Sequence, residues 1–586
     1  EADAECEYCF EQDACMVVSG RLDQESKAGQ IGTAVPQEER DYFERFYHAI
    51  EAERRAIHAE YRKLWEQDAA ERAADDRALI ELDPLGREEI DGNRWELRAR
   101  KPPEAVSKLR EGDVALASDG DPVSGHAELC RITQLDEEIV VTADEPVEVQ
   151  RLDVYPSELS VDRMLTALHD TVLKGSDDRK DVLFGRRDPE FSEGEETFID
   201  NNDGQNQAVN LAVNAEDCAL IHGPPGTGKT YTIARLIRAL VARGDRVLLT
   251  AFTNRAVDNA LEALREQGFE DIQRVGTTTG IREDMLDVRL EKAGDPQALA
   301  GSLRNAPVVA ATTASCGSRV MREQEFDVAV VDEASQLTEP DALAALNRAE
   351  RFVLVGDHEQ LPPVVQAADP GGEDSVADEP ATDNPLSTSL FERLIEAYPE
   401  ASVMLTRQYR MCQRIQAFSS AEFYDGALRP ATGAVAGQSL DDLVDPASLP
   451  AALGDSVSVI DPDGERVGNT NPVEADRVAE IVERYIAAGV DPEAIGVIAP
   501  FRAQVAEISR RVEVTVDTVD RFQGSSKEII VLSFVATGEL EGPLFEDHRR
   551  INVALTRAKK GLVLVGDRAA LSSEPFYERM LEWADR

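Results

Sequence analysis

The segment CALIHGPPGTGKT, Cys218 to Thr230, sets Gly223, four further residues, then Gly228, Lys229 and Thr230. That spacing suits a loop wrapped around a phosphate. Glycines let successive backbone N–H groups turn inward on a β-phosphate, and a helix N-terminus behind them adds partial positive charge. Lys229 would reach the β- and γ-phosphates, and the Thr230 hydroxyl would ligate Mg2+. Gly223, Gly226, Thr227, Gly228, Lys229 and Thr230 are therefore the candidate ATP-binding set. The plain alternative is a Gly/Pro turn with no ligand. Downstream, Asp332 and Glu333 close the apolar run Val328–Val331. Asp332 would hold Mg2+ together with Thr230, and Glu333 would polarise an attacking water. Gln360, in the run LVGDHEQLPP, is a sensor candidate for the γ-phosphate or that water; its plain reading is a polar turn.

These side chains need a scaffold that gathers them at one edge. Ala219 to Ile221 reads as a buried strand, and the amphipathic stretch Tyr231 to Ala242 as the helix that follows. Further apolar runs at Val247–Thr250, Val308–Ala311, Val328–Val331 and Phe352–Val355 alternate with helical stretches. This predicts a parallel sheet, whose ligands sit at the carboxyl ends of its strands. A second series follows at Val403–Leu405, Val457–Ile460, Ile495–Ile498, Val514–Val516, Ile529–Ser533 and Leu562–Val565. Upstream, Asp41 to about Ala74 has the spacing of one long amphipathic helix, a strut rather than a site. Short runs after Asp83-Pro84-Leu85-Gly86 predict a small antiparallel barrel, and Val161–Leu173 a second helix before a polar linker, Lys174–Asp188. The expected divisions are residues 1–40, a metal-cluster remnant; 41–78, stalk; 79–155, barrel; 156–195, returning stalk and linker; 196–390 and 391–586, two α/β domains. The tract Asp369 to Pro385 reads as a disordered surface loop.

The 586-residue chain has room for several domains, no run of eighteen apolar residues to span a membrane, and a formal net charge of −51. Such acidity argues at first sight against a nucleic-acid partner. Yet only 11 of the 62 basic residues are lysine, and an acidic, Lys-poor, Arg-rich chain resembles proteins of salt-accumulating haloarchaea. Near 1 M salt the Debye length is about 3 Å, so long-range repulsion from phosphates is screened and binding must rest on stacking and short hydrogen bonds. Seven cysteines do not make a disulfide scaffold here, and a reducing cytoplasmic setting is expected. Cys6, Cys9 and Cys15 stand apart as a C-x2-C-x5-C cluster, which points to a metal or iron–sulfur cluster short of one ligand, or to unliganded surface thiols. A fourth ligand would lie outside this chain, which starts at Glu1 and is expected to be a fragment.

The motifs DEASQ, GDHEQLPP, RQYRM and NVALTRAKK, following the P-loop in this order, resemble superfamily 1B helicases. That group includes the nonsense-mediated-decay RNA helicase and the flap-processing replication helicase–nuclease. The resemblance covers essentially the whole chain and implies two tandem RecA-like P-loop domains behind a helical stalk and a small antiparallel β-barrel. It assigns Gln205 to adenine recognition, Tyr409 to base stacking, and Arg410 and Arg557 to the two arginine fingers. Gly524 falls in the motif that contacts the nucleotide, where Ser526 replaces the family's usual glutamate and puts sugar discrimination in question. Thr253, Asn254, Thr312, Thr313, Pro500, Phe501 and Arg502 match motifs that face nucleic acid; helix capping or loop structure is the plain reading of the threonines and Asn254.

The three early cysteines favour the replication helicase–nuclease branch, where three cysteines close an Fe–S cluster at the end of a nuclease domain. By that resemblance the chain is expected to be an ATP-dependent, 5′-to-3′ DNA helicase or translocase on single strands, in DNA replication or repair, using ATP and Mg2+. A monomeric motor is expected, with a nuclease domain upstream if the chain is a fragment. An RNA helicase of the decay type, and an ATP-gated nucleic-acid clamp that does not unwind, remain the alternatives.

Overall fold

The computed structural model describes residues 35–586 except 91–93, 103–104, 106, 110, 156–158, 291–295, 368–383, 463 and 539. Cys6, Cys9 and Cys15, and nearly all of the tract from 369 to 385, lie outside the described residues. Among the described residues no helix is long and apolar enough to cross a membrane.

The first helix of the described residues, Gln37–Glu66, buries Phe46, Ile50 and Ile57 on one stripe. The single helix expected to Ala74 is broken at Gln67, and a short helix, Ala69–Ala74, starts afresh. The cause is local: the Asp68 side chain accepts from Glu71 N, and the Glu71 side chain accepts from Asp68 N, a capping box that favours a new N-terminus. The stripe packs on the helix Leu159–Lys174 and joins the core on one face of the first parallel sheet. Polar contacts fix it there: Tyr42 donates to Glu339 at 2.6 Å, and the Glu53 carboxylate accepts from Gln366 N and Ala367 N. The stalk is a buttress of the first domain. The predicted linker after Lys174 holds a further helix, Asp177–Leu183.

Between the two stalk segments seven antiparallel strands form one sheet. In spatial order they are Ala78–Leu79, Arg151–Val154, Val114–Ser118, Ala127–Leu135, Glu138–Ala143, Arg94–Arg100 and Asp83–Ile90. The segment Asp83-Pro84-Leu85-Gly86 begins the last of these. Its pairing with Arg94–Arg100 skips register between Pro84 and Gly86, so a bulge accommodates the proline. Alternate residues Leu97 and Ala99, Ala115 and Ala117, Ile139 and Val141 meet in a single apolar cluster. Beside it Asp153, fully buried, accepts from Arg72 at 2.6 Å and from Arg151 at 2.7 Å. Asp153→Ala would leave two buried guanidiniums without an anion, at a cost of about 3–5 kcal/mol. Hydrogen exchange should then show lost amide protection in the antiparallel strands and unchanged protection in the P-loop sheet.

The first parallel sheet has seven strands in the order Ile272–Val275, Val308–Thr312, Val247–Ala251, Phe326–Asp332, Ala349–Gly356, Cys218–His222 and Ser402–Met404. Apolar clusters cover both faces, as a doubly wound sheet requires. The run Val403–Leu405, expected to open the second domain, is instead the edge of this sheet: Val403 pairs with Ile221 and Met404 with His222. The preceding helix Leu390–Ala397 packs into the same core, so the first unit extends to Leu405 rather than ending at residue 390. The second sheet is also all parallel, in the order Val457–Ile460, Ala558–Val565, Lys527–Ser533, Ile495–Ala499 and Thr515–Thr518.

Candidate active site

Register brings the candidate residues to one edge. His222 pairs with Gly356 and Asp332 with Ala251, so the P-loop, the acidic pair and the GDHEQ segment all leave the sheet at neighbouring carboxyl ends. The helix Lys229–Ala242 starts directly behind the loop, with Lys229 and Thr230 its first two residues. The glycines are demanded individually. A Cβ at Gly223 would stand 2.2 Å from Lys229 Cγ, one at Gly226 2.6 Å from Arg410 Cβ, and one at Gly228 2.6 Å from Gln205 Nε2. Gly226 and Gly228 also have left-handed φ of 74° and 79°. Thr227 is buried and donates its hydroxyl to Pro224 O at 2.7 Å, bracing the turn.

Lys229 Nζ lies 3.5 Å from Glu333 Oε2. Burial pulls its pKa down, but Glu333, Asp357 and Asp332 outweigh that and hold it raised. Asp332 is buried at the strand end, where burial and the adjacent Glu333 push its pKa up. Glu333 has φ 51°, a left-handed conformation uncommon for a side-chain-bearing residue, and Gln336 Nε2 donates to its carboxylate at 2.9 Å. Such strain, held by its surroundings, clusters at functional sites.

The second domain closes the pocket with two guanidiniums. Arg557 is 2 % exposed, and burial together with the charge of Arg410 pushes its pKa down to about 9. Burial pushes Arg410 down to about 10. Arg557 donates to Val553 O at 2.9 Å and to Gln360 Oε1 at 3.4 Å, while Arg410 donates to Thr556 O at 3.1 Å. Two like charges beside a glycine cradle, Arg557 buried and Arg410 half-buried, suit an anion. Lys229 and the two arginines are the residues that would meet the γ-phosphate of a nucleoside triphosphate. Thr230 and Asp332 are the residues that would hold Mg2+, whose charge would relieve the pressure on the Asp332 carboxylate. When bound, the ion neutralises charge on the β- and γ-phosphate oxygens.

At the other end of the pocket Gln205 Nε2 donates to Thr227 O at 2.9 Å, and Asn202 caps the Gln205 helix while donating to the Tyr409 hydroxyl at 2.8 Å. Tyr409 N donates to Gly226 O at 2.8 Å, leaving an exposed ring beside the loop. Asn202 was not foreseen from sequence; its place three residues ahead of Gln205 is an N-cap signal.

A family model described as an AAA domain matches residues 200–302 and 296–368, and another of the same description matches residues 386–569. The DNA replication ATP-dependent helicase/nuclease JHS1 of Arabidopsis thaliana is 36% identical over 402 residues, 65% of this chain and 29% of its own length. DNA2 of Xenopus laevis, described in the same words, is 37% identical over 406 residues, 62% of this chain and 37% of its own. The chain belongs to the superfamily 1 helicases of the DNA2 type. It spans about a third of the length of these relatives. An uncharacterised ATP-dependent helicase of Methanocaldococcus jannaschii aligns over 591 residues at 29% identity, 82% of this chain and 86% of its own. An arterivirus nonstructural protein 10 helicase superposes over 83% of this chain and 80% of its own at TM-score 0.40 and 14% identity, too loosely to bear on function. The matched segments fall on the two parallel-sheet domains, so these are the part of the chain that is similar to ATP-dependent helicases.

The residues matched to nucleic-acid motifs sit as follows. Thr253 is exposed and caps the helix Asn254–Glu266 by accepting from Ala256 N at 3.2 Å. Asn254 accepts from the buried Arg274 at 2.8 Å. Thr312 caps the turn Thr313–Cys316, and both threonines are buried. Exposed Phe252 stands beside Thr253 at the end of its strand, an aromatic that sequence reading passed over. Pro500 is buried, Phe501 stacks on the Arg466 guanidinium with 4.9 Å to the ring centroid, and Arg502 donates to Ser107 O, in a connection of the antiparallel sheet, at 2.6 Å. Gly524 is exposed with φ 77°, one residue before Ser525, whose carbonyl accepts from Arg557 at 3.3 Å. Ser526 is half-buried. Of the seven cysteines, Cys130, Cys218, Cys316 and Cys412 are buried and unbridged.

Proposed function

We propose that this chain couples ATP hydrolysis to 5′-to-3′ movement along single-stranded DNA and so separates duplexes in replication or repair. The single observation that carries the reading is the pair of guanidiniums, half-buried Arg410 and buried Arg557, brought from the second domain to the P-loop of the first. Glu333 answers part of their charge, and an anion bound across the cleft would answer the rest, so ATP favours closure and hydrolysis releases it. If the two domains grip a strand alternately, each cycle is a step. That the DNA2-type relatives are DNA replication helicase/nucleases favours DNA over RNA.

ATPase activity in molar KCl, measured with single-stranded DNA, with single-stranded RNA and with neither, tests the reading. DNA is expected to stimulate turnover, and a duplex with a 5′ single-stranded tail to be unwound in preference to one with a 3′ tail. Stimulation by RNA alone would favour the decay-type alternative. Turnover without strand displacement would favour a clamp. The acidic surface leads us to expect that activity survives molar salt, since little of the binding can depend on counterion release.

A further inference from the structure

Asp357 follows the strand Ala349–Gly356 and is fully buried. Three side chains from different parts of the fold donate to its carboxylate. His222 Nε2, from the residue just before the P-loop, lies 2.9 Å away. Gln360, the sensor candidate, donates at 2.5 Å, and the Tyr424 hydroxyl, beyond Leu405 and therefore in the second unit, donates at 2.8 Å. Asn552 adds a second bond between the units: its Nδ2 donates to the Tyr424 oxygen at 2.8 Å and to Glu359 O at 2.7 Å. Burial alone would raise the Asp357 pKa, but the His222 hydrogen bond and charge, with Lys229 and Gln360, hold it at about 2. It is thus an ionised acceptor, and a buried ionised acceptor has a strong call on its donors. Gln360 is committed at both ends, its amide nitrogen to Asp357 and its oxygen to Arg557.

We propose that Asp357, held by His222 of the first domain and Tyr424 of the second, is a positioning residue that orients the Gln360 amide only when Tyr424 and Asn552 are docked. This rests on the ATPase reading above and adds to it a route by which the P-loop strand registers domain closure through Tyr424, beside the arginine fingers. His222 and Tyr424 touch no substrate in this scheme; they act through Asp357 on Gln360. When the second domain swings away, Tyr424 leaves with it. Asp357 then keeps only its first-domain donors, His222, Gln360 and Glu359 N, and Gln360 loses Arg557 at the same time. The sensor amide is held at both ends in the closed state and at its nitrogen alone in the open one.

Tyr424→Phe removes a single hydroxyl from a site where the ring is otherwise packed beside His222. The expected result is about a tenfold fall in kcat with KM for ATP and the affinity for a fluorescent ATP analogue unchanged. His222→Phe should do the same, and His222→Gln, whose amide can still donate to Asp357, should recover most of the lost turnover. Thermal unfolding and nucleotide affinity of each variant are measured alongside. Wild-type kcat in Tyr424→Phe would overturn the proposal. So would a loss of turnover that follows a fall in Tm and is not rescued by His222→Gln, since that is what a packing role predicts. Absence of ATP hydrolysis in the unaltered chain would instead remove the ATPase reading itself, and this inference with it.

Discussion

Lys229→Ala is expected to abolish ATP turnover, a loss of about a thousandfold or more, because it removes the cation that meets the β- and γ-phosphates as charge shifts between them. Lys229 stands among three carboxylates, Glu333, Asp357 and Asp332, and they hold its ammonium charged despite burial. Without it those acids lose their shared counter-charge, and a triphosphate would enter a pocket whose near wall is negative. ATP affinity should therefore fall together with kcat. Gly223 shows how closely the side chain is built in, since no Cβ fits beside its aliphatic stem. Lys229→Met keeps that stem and drops only the charge, so an equal loss in both variants would assign the effect to the ammonium rather than to packing. Steady-state phosphate release checks the rates, and analogue binding checks the affinity. Retained turnover in Lys229→Ala would overturn the site.

What was legible in the sequence is what local pattern determines. The P-loop and the Asp332-Glu333 pair each sit between a strand and the next element within a few residues, so hydrophobic runs and glycines are sufficient to place them. The N-cap at Thr253 is of the same local kind and was the plain reading of that residue. Contacts that depend on how separate units pack could not be read that way. His222 and Asp357 are 135 positions apart, and Tyr424 reaches Asp357 from 67 away; nothing near any of them marks it as a partner. The edge strand Ser402–Met404 has the composition of a strand of either sheet, and only its pairing with Cys218–His222 decides which. Arg502 matched a nucleic-acid-facing motif, yet its guanidinium also reaches a connection of the antiparallel sheet, encoded far earlier in the chain, at a separation of 395. In the stalk the miss was avoidable: Asp68 and Glu71 have capping-box spacing, but the uninterrupted amphipathic stripe around them outweighed it.

Arg557→Ala separates the chemistry of closure from nucleotide binding. An arginine that meets the γ-phosphate from a second domain acts mainly on the transition state, and its removal is expected to lower kcat about a thousandfold. Affinity for ATP should change little, since the glycine cradle, Lys229 and the Gln205–Tyr409 end all remain. The unliganded protein offers a second sign to check. Arg557 is buried beside Arg410, and each guanidinium is made less comfortable by desolvation, with Arg410 adding repulsion at Arg557. Removing one charge relieves the other, while the bonds to Val553 O and Gln360 are lost. The two effects oppose, so the Tm of the variant without nucleotide should stay near wild type, whereas the gain in Tm on adding ATP should shrink. Arg557→Lys should not restore turnover, because a lysine ammonium lacks the planar fork that spans Val553 O, Ser525 O, Gln360 and a phosphate at once. An equal loss of kcat and of nucleotide affinity would place Arg557 in the binding site rather than at the transition state, and the cycle drawn from closure would then have to rest on Arg410 alone.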